Sequence, residues 1–179
     1  MGRLTSQGCA FGRINTQTLT WTPEGRVQTV ANADDSGVEY VYDANGNRLI
    51  SRTDTGSATE TTLYLGHTEV TVSSTAPAVA KATRYVDVGG GHTAVIEDDD
   101  ATVSFVLSDH QGTGQLAVRA DTMTLSQRRT TPFGTDRGTA PADWAGSRSF
   151  VGGYDDRAST GLVSLGAREY DPALGRFVS

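Results

Sequence analysis

The chain has 179 residues, with 15 Lys and Arg against 21 Asp and Glu, a formal net charge of −6, 36% hydrophobic residues and 21 Gly. At about 150 residues per domain there is room for one domain, or one plus a fragment. No apolar run approaches the roughly 18 residues of a membrane span, apolar content is too high for a disordered chain, and a pI near 4.9 argues against a nucleic-acid binder, which presents a basic face.

The first 18 residues lack an apolar core behind a basic stretch, so no signal peptide is expected in this chain. Cys9 is the single cysteine, which excludes an intramolecular disulfide framework and a multi-cysteine zinc site. No cofactor and no metal site is expected. From residue 16 on, β-branched and aromatic residues recur in short alternating runs divided by Gly, Asp, Asn and Ser, the pattern of an all-β protein. Strands are expected at 16–22, 27–31 and 38–42, then a tight turn at Asp43-Ala44-Asn45-Gly46, where Asn-Gly accepts the positive φ of a hairpin, and a return strand at 48–53. Further strands are expected at 61–65, 69–72, 81–88, 93–97, 102–108, 115–119 and 125–130. Gly89-Gly90-Gly91 reads as a hairpin turn, since no Lys-Ser/Thr closes it as a phosphate loop, and the acidic run 97–100 as a solvated turn, lacking the spacing of a calcium loop.

Internal repetition adds to this. Trp21-Thr22-Pro23-Glu24-Gly25-Arg26-Val27 and Tyr42-Asp43-Ala44-Asn45-Gly46-Asn47-Arg48 align at a spacing of 21 residues, with Trp21 on Tyr42 and Gly25 on Gly46. A single hairpin cannot bury its aromatic face alone, so such units are expected to stack side by side.

Tyr42-Asp43-x-x-Gly46 resembles a YD repeat, the unit of Rhs proteins, teneurins and insecticidal-toxin shell subunits, and Trp21 to Val27 is similar to its diverged form. Residues 105–179 resemble the Rhs repeat-associated core through four blocks: Ser108-Asp109-His110-Gln111-Gly112-Thr113, Thr131-Pro132-Phe133-Gly134, Phe150-Val151-Gly152-Gly153, and a long final one. That last block runs Thr160-Gly161-Leu162-Val163-Ser164-Leu165-Gly166-Ala167-Arg168-Glu169-Tyr170-Asp171-Pro172-Ala173-Leu174-Gly175-Arg176-Phe177. The resemblance implies antiparallel hairpins of a β-strip that spirals into a hollow shell, plugged at one end by the core and followed by a toxin. It divides the chain into YD repeats (16–62), a strand-rich continuation (63–104) and the core (105–179). It implies a secreted or cell-envelope protein, with upstream shell repeats and a C-terminal toxin as partners. Both ends read as cut, which leaves strand edges free for self-association. In many members of the family the core cuts the chain just beyond itself, and the resemblance implies an aspartic-type self-cleavage that uses an Arg before Tyr-Asp-Pro and Asp residues further on. Arg168 stands in that Arg position. The Asp expected after Arg176-Phe177 does not appear before Ser179, and an Arg supplies no acid–base catalysis alone, so no self-cleavage is expected.

Outside that resemblance the chemistry is thin. Asp109 and His110 could pair as orienter and base, but adjacent strand residues point apart, so a structural turn is the favoured reading. His67 and His92 sit beside Gly in turns. Trp21, Tyr40, Tyr42, Tyr64 and Tyr85 could offer platforms to a sugar, although stacked hairpins more often bury such residues. Arg168 and Arg176 are expected to pair with Asp171, Asp155 or Asp156.

Overall fold

A computed structural model describes residues 17–75, 78–97 and 102–178; Cys9, the start of the first expected strand and the acidic run beyond Glu97 lie outside the described residues. The chain is all-β and antiparallel. Eleven strands follow one another in a single sheet, each bonded to the next: β1 (Thr18–Trp21), β2 (Val27–Ala31), β3 (Gly37–Tyr42), β4 (Arg48–Asp54), β5 (Thr59–Leu65), β6 (Thr68–Ser73), β7 (Ala80–Gly89), β8 (His92–Glu97), β9 (Thr102–Ser108), β10 (Gly114–Arg119) and β11 (Leu125–Gln127). The expected strands and the Gly90-Gly91 turn correspond closely to these. The sheet passes position 104 within β9 without a break.

The turns explain why the sequence repeats. In the first, the Thr22 N–H donates to the Arg26 carbonyl at 2.8 Å and the Gly25 N–H to the Thr22 carbonyl at 3.0 Å. The same pair of bonds closes Asp43–Asn47, Asp109–Thr113, Thr131–Thr135 and Ser149–Gly153. Each is a five-residue turn whose fourth position must take a positive φ, as Gly46 does at +79°. At Gly46 a Cβ would also collide with the guanidinium of Arg26, which lies over this turn from the preceding repeat. Asp43 tightens its own turn by accepting the N–H groups of Asn45 and Asn47 at 2.9 and 2.8 Å. Register shifts accompany the turns at Thr20/Trp21, Val41/Tyr42 and Gly114/Leu116, so the bulges fall at one edge of the sheet, where they bend and twist the strands.

Strand alternation gives the sheet two unlike faces. Outward positions pair apolar on apolar, as in the row Val41, Ile50, Leu63, Val70 and Ala82. Inward positions form two separate cores. One holds Leu19, Val27, Val30, Val38 and Tyr40; the other holds Tyr85, Val95, Val106 and Ala117. Val27 and Val30 are almost fully buried, each contributing about 1.5–3 kcal/mol. Between the cores the inward row is hydroxylic: Ser51, Thr62 and Thr71 stand opposite one another, with the Thr62 and Thr71 oxygens 2.9 Å apart.

A second, four-stranded sheet covers this inner face: β12 (Tyr154–Asp156), β13 (Leu162–Leu165), β14 (Arg168–Asp171) and β15 (Arg176–Phe177). None of its strands is evident as a run of alternating residues. Leu162, Val163 and Ser164 are buried in succession, because β13 is enclosed on both sides and so shows no alternation. Leu162 enters the first core; Ala145 and Trp144, from the connecting segment, close the second.

Candidate functional site

The two sheets meet across buried charge. Arg48 is carried inward at the start of β4, opposite Tyr42, and its side chain is 2% exposed. It reaches Asp156 at 2.8 Å and Glu169 at 3.0 Å and lies over the Tyr40 ring at 4.1 Å. The Tyr40 hydroxyl donates to Asp156 at 3.0 Å. Burial disfavours the Arg48 cation, but Asp156, Tyr40 and Glu169 outweigh it and hold the guanidinium firmly charged. Glu169 shares that one cation with Asp156, so burial still raises its carboxyl above the usual range. Burial, then Asp156, likewise pushes the Tyr40 phenol up.

A second contact lies one hairpin further on. Ser147 Oγ donates to Glu69 Oε2 at 2.6 Å, and the Ser147 N–H donates to the Tyr85 hydroxyl at 2.7 Å. Arg148 Nε stands 3.7 Å from Glu69 Oε1, and its Nη2 donates to the Tyr154 hydroxyl at 3.1 Å. Burial raises the Glu69 carboxyl despite the Ser147 bond. In a third contact Arg128 lies 4.0 Å over the Trp144 ring and donates to the Arg148 carbonyl at 2.9 Å. Burial lowers this guanidinium to about 10. These contacts fasten the inner sheet to the strip. Between them they leave a polar cleft of about 650 Å³ floored by the Ser51–Thr62–Thr71 row.

The residues expected to matter divide between turn, core and surface. Gly25, Gly46, Gly112, Gly134, Gly161, Gly166 and Gly175 all take positive φ in turns. Asp109 is spent on its own turn, accepting the N–H groups of Gln111 and Thr113 at 2.9 and 3.0 Å, and His110 is exposed at the tip. Pro132 and Phe133 are exposed, but the Phe133 carbonyl accepts the Tyr170 hydroxyl at 3.0 Å. Tyr170 in turn stacks on Phe150 at 5.6 Å and meets Phe177 edge-on at 5.3 Å. Asp171 caps the loop through Pro172 by accepting the N–H groups of Ala173 and Leu174. Ala167 lies exposed in the turn beside Gly166. Tyr42 gives its hydroxyl to the Val27 carbonyl at 2.6 Å, and burial pushes that phenol up to about 12.

One expectation is corrected. Arg168 pairs with no carboxylate among the described residues: it is exposed and stacks 4.1 Å over Phe177, while Arg176 lies exposed on β15 opposite Asp171. Asp155 goes instead to Arg157, at 2.7 Å, and Asp156 to Arg48. The aromatics sit where stacked hairpins put them: Tyr40, Tyr64 and Tyr85 are buried and Trp21 packs on the first core. Sequence reading missed Arg48, Glu69, Ser147, Arg148 and Glu169. One signal was present: in β6 the apolar Val70 and Val72 alternate with Glu69 and Thr71, so a polar set had to face the inner side. Among the described residues no group of three or more His, Cys, Asp or Glu is placed to hold a metal ion, and no helix is long and apolar enough to cross a membrane.

No known family model matches this chain, and no curated protein matches it. Solved structures do. The chain is similar to part of a crystal structure of TcdB2-TccC3-Cdc42 (TM-score 0.80, 21% identity), covering 91% of this chain and 9% of that one. It is similar over the same shares to TcdB2-TccC3 without its hypervariable C-terminal region (TM-score 0.74, 20% identity) and to a Photorhabdus luminescens Tc holotoxin pore (TM-score 0.78, 20% identity). The chain thus spans about a tenth of the length of the chains it matches, and at this identity the likeness is one of fold.

Proposed function

We propose that this chain is a wall-and-plug segment of a Rhs-type β-shell that encapsulates and positions a toxin polypeptide. Residues 16–62 act as YD repeats, 63–104 as their continuation and 105–179 as the core, a division by motif that the sheet crosses without interruption. The observation that carries the reading is the clamp of the inner sheet on one face of the strip through Arg48, Asp156 and Glu169. It fixes the last strands against the wall instead of leaving them as an independent domain. The likeness in fold to a small part of much longer Tc chains supports the same reading. So do the core blocks in the sequence: the first becomes the β9–β10 turn of the strip, the next two become turns before β12, and the last supplies β13 to β15 of the clamped sheet.

In this function the work is mechanical: the strip walls off space, and the clamped sheet closes it and directs the chain that follows. Upstream repeats pair on β1, whose other edge bonds to no described strand. Secretion or attachment to the cell envelope belongs to this proposal. A self-cleaving core would require Arg168 to leave the Phe177 ring for a carboxylate. The test is to express the chain in its full genetic context with a reporter enzyme placed after residue 179. A reporter resistant to added protease, and made sensitive by Arg48→Ala, is the expected result. A reporter digested at the same rate with and without the upstream repeats would sink the proposal.

A further inference from the structure

The cleft between the two apolar cores is acidic. Its mouth carries Asp34, Asp54 and Glu60, all exposed, and its lining includes Glu69, Asp155 and Asp156 against the single cation Arg157. Asp155 and Asp156 are already held by Arg157 and Arg48. Glu69 is different. It is 6% exposed, its Oε2 accepts from Ser147 at 2.6 Å, and its Oε1 is buried without a hydrogen-bond partner. The nearest cation, Arg148 Nε at 3.7 Å, is beyond hydrogen-bond length. The cluster of Arg48 and the half-buried Arg148 with Asp156, Glu169 and Glu69 holds two cations and three anions. It therefore has no charge to offer an anionic guest, and one carboxylate is left undercompensated.

We propose that this cleft binds a primary ammonium group on a flexible aliphatic stem, a lysine side chain of an extended peptide, with Glu69 Oε1 as its deepest acceptor. The acceptor set selects ammonium over guanidinium. Only one oxygen of Glu69 lacks a hydrogen bond, so the fork of an arginine has no bidentate partner, whereas the compact head of a lysine needs single acceptors arranged around it. The hydroxyls of Ser51, Thr62 and Thr71 line the same cleft and can accept the remaining N–H groups. Asp34, Asp54 and Glu60 steer the cation from solvent, an effect that falls with salt. The inference concerns the cleft alone and stands whether or not the chain belongs to a shell.

The test is fluorescence anisotropy of the whole protein with a labelled peptide of alternating Gly and Lys, beside the matching Gly-Arg peptide and with spermidine as competitor. The Gly-Lys peptide is expected to bind more tightly than the Gly-Arg peptide. Glu69→Gln, which keeps an acceptor for Ser147, should weaken binding by about tenfold or more, the loss of one charge-assisted hydrogen bond. The double variant Asp54→Asn with Glu60→Gln, at the exposed mouth, should weaken binding without altering the melting temperature, and so keeps the test open if Glu69→Gln unfolds. Glu24→Gln, in the Thr22–Arg26 turn outside the cleft, should bind as the parent does. Displacement by spermidine at equal charge supports the ammonium chemistry and makes a free polyamine a competent source; weaker displacement ties the site to a peptide. Equal loss in Glu24→Gln and in the cleft variants, or tighter binding of the Gly-Arg peptide, overturns the proposal.

Discussion

The eleven-stranded strip and the four-stranded inner sheet are stabilised by different means. In the strip each strand bonds to its sequence neighbour, so the contacts are local and every hairpin can form from its own turn. The inner sheet returns over the strip from more than a hundred residues away, as in Arg48 with Glu169, and is fastened by buried ion pairs and aromatic stacking. Local hydrogen bonds tolerate loss one at a time. A buried charge does not, because removing its partner leaves an ion without solvent.

The largest test of this difference is Arg48→Ala. It strands Asp156 and Glu169 and removes the guanidinium over Tyr40, and should cost about 3–5 kcal/mol. Amide hydrogen exchange should rise through 154–177 while β7–β9 stay protected; uniform exchange across both sheets would show that they unfold as one unit. Next is Gly46→Ala in the strip, where the side chain must adopt φ near +79° and displace Arg26, at a cost of about 1–2 kcal/mol. Urea unfolding should show that loss with faster exchange confined to β1–β4.

The pH dependence separates the regions further. Burial raises the carboxyls of Glu69 and Glu169 above the ordinary 4.5. The folded chain therefore binds more protons than the unfolded one above that value. Their contribution is complete below pH 4.5 and is lost as pH rises through the folded values. Glu69→Gln should flatten that limb in melting temperature against pH. The turn aspartates act oppositely. Hydrogen bonds from Ser36 and Asn47 hold Asp34 and Asp43 below 3.8, so their contribution is present above that value and lost as pH falls through the folded ones. The smallest effect belongs to the strip's outer face. The Arg52–Glu39 pair spans 3.0 Å with both side chains 47% exposed, and Arg52→Ala should change stability by less than about 0.5 kcal/mol.

The legibility of each region follows from the same contrast. Strands β1–β11 could be read because alternation and turn chemistry are both local. The repeat in fact extends past the two units evident in the sequence. Turns at Gly25, Gly46, Gly66, Gly90 and Gly112 lie along one edge of the sheet, with positive φ at each. The motif fades at Gly66 and Gly90 because those turns are shorter and need no Asp or Thr before the glycine. In the core blocks, the stretches that begin at Ser108 and Phe150 read as separate motifs, yet Asp109 and Ser149 open the same five-residue turn as Asp43.

By itself the sequence determined an all-β chain of antiparallel hairpins, the turn positions and the acidic balance, since each depends on residues close in the chain. Only the tertiary structure decided which acids meet which cations. Arg168 took the Phe177 face and Arg48 took Asp156 and Glu169, because the register of the strip, the turn at Gly46 and the return of the inner sheet together set those distances. It also decided that Glu69 would be buried with one oxygen unbonded. That outcome depends on two sheets packed around a hydroxyl-lined gap, and no local pattern specifies such a gap.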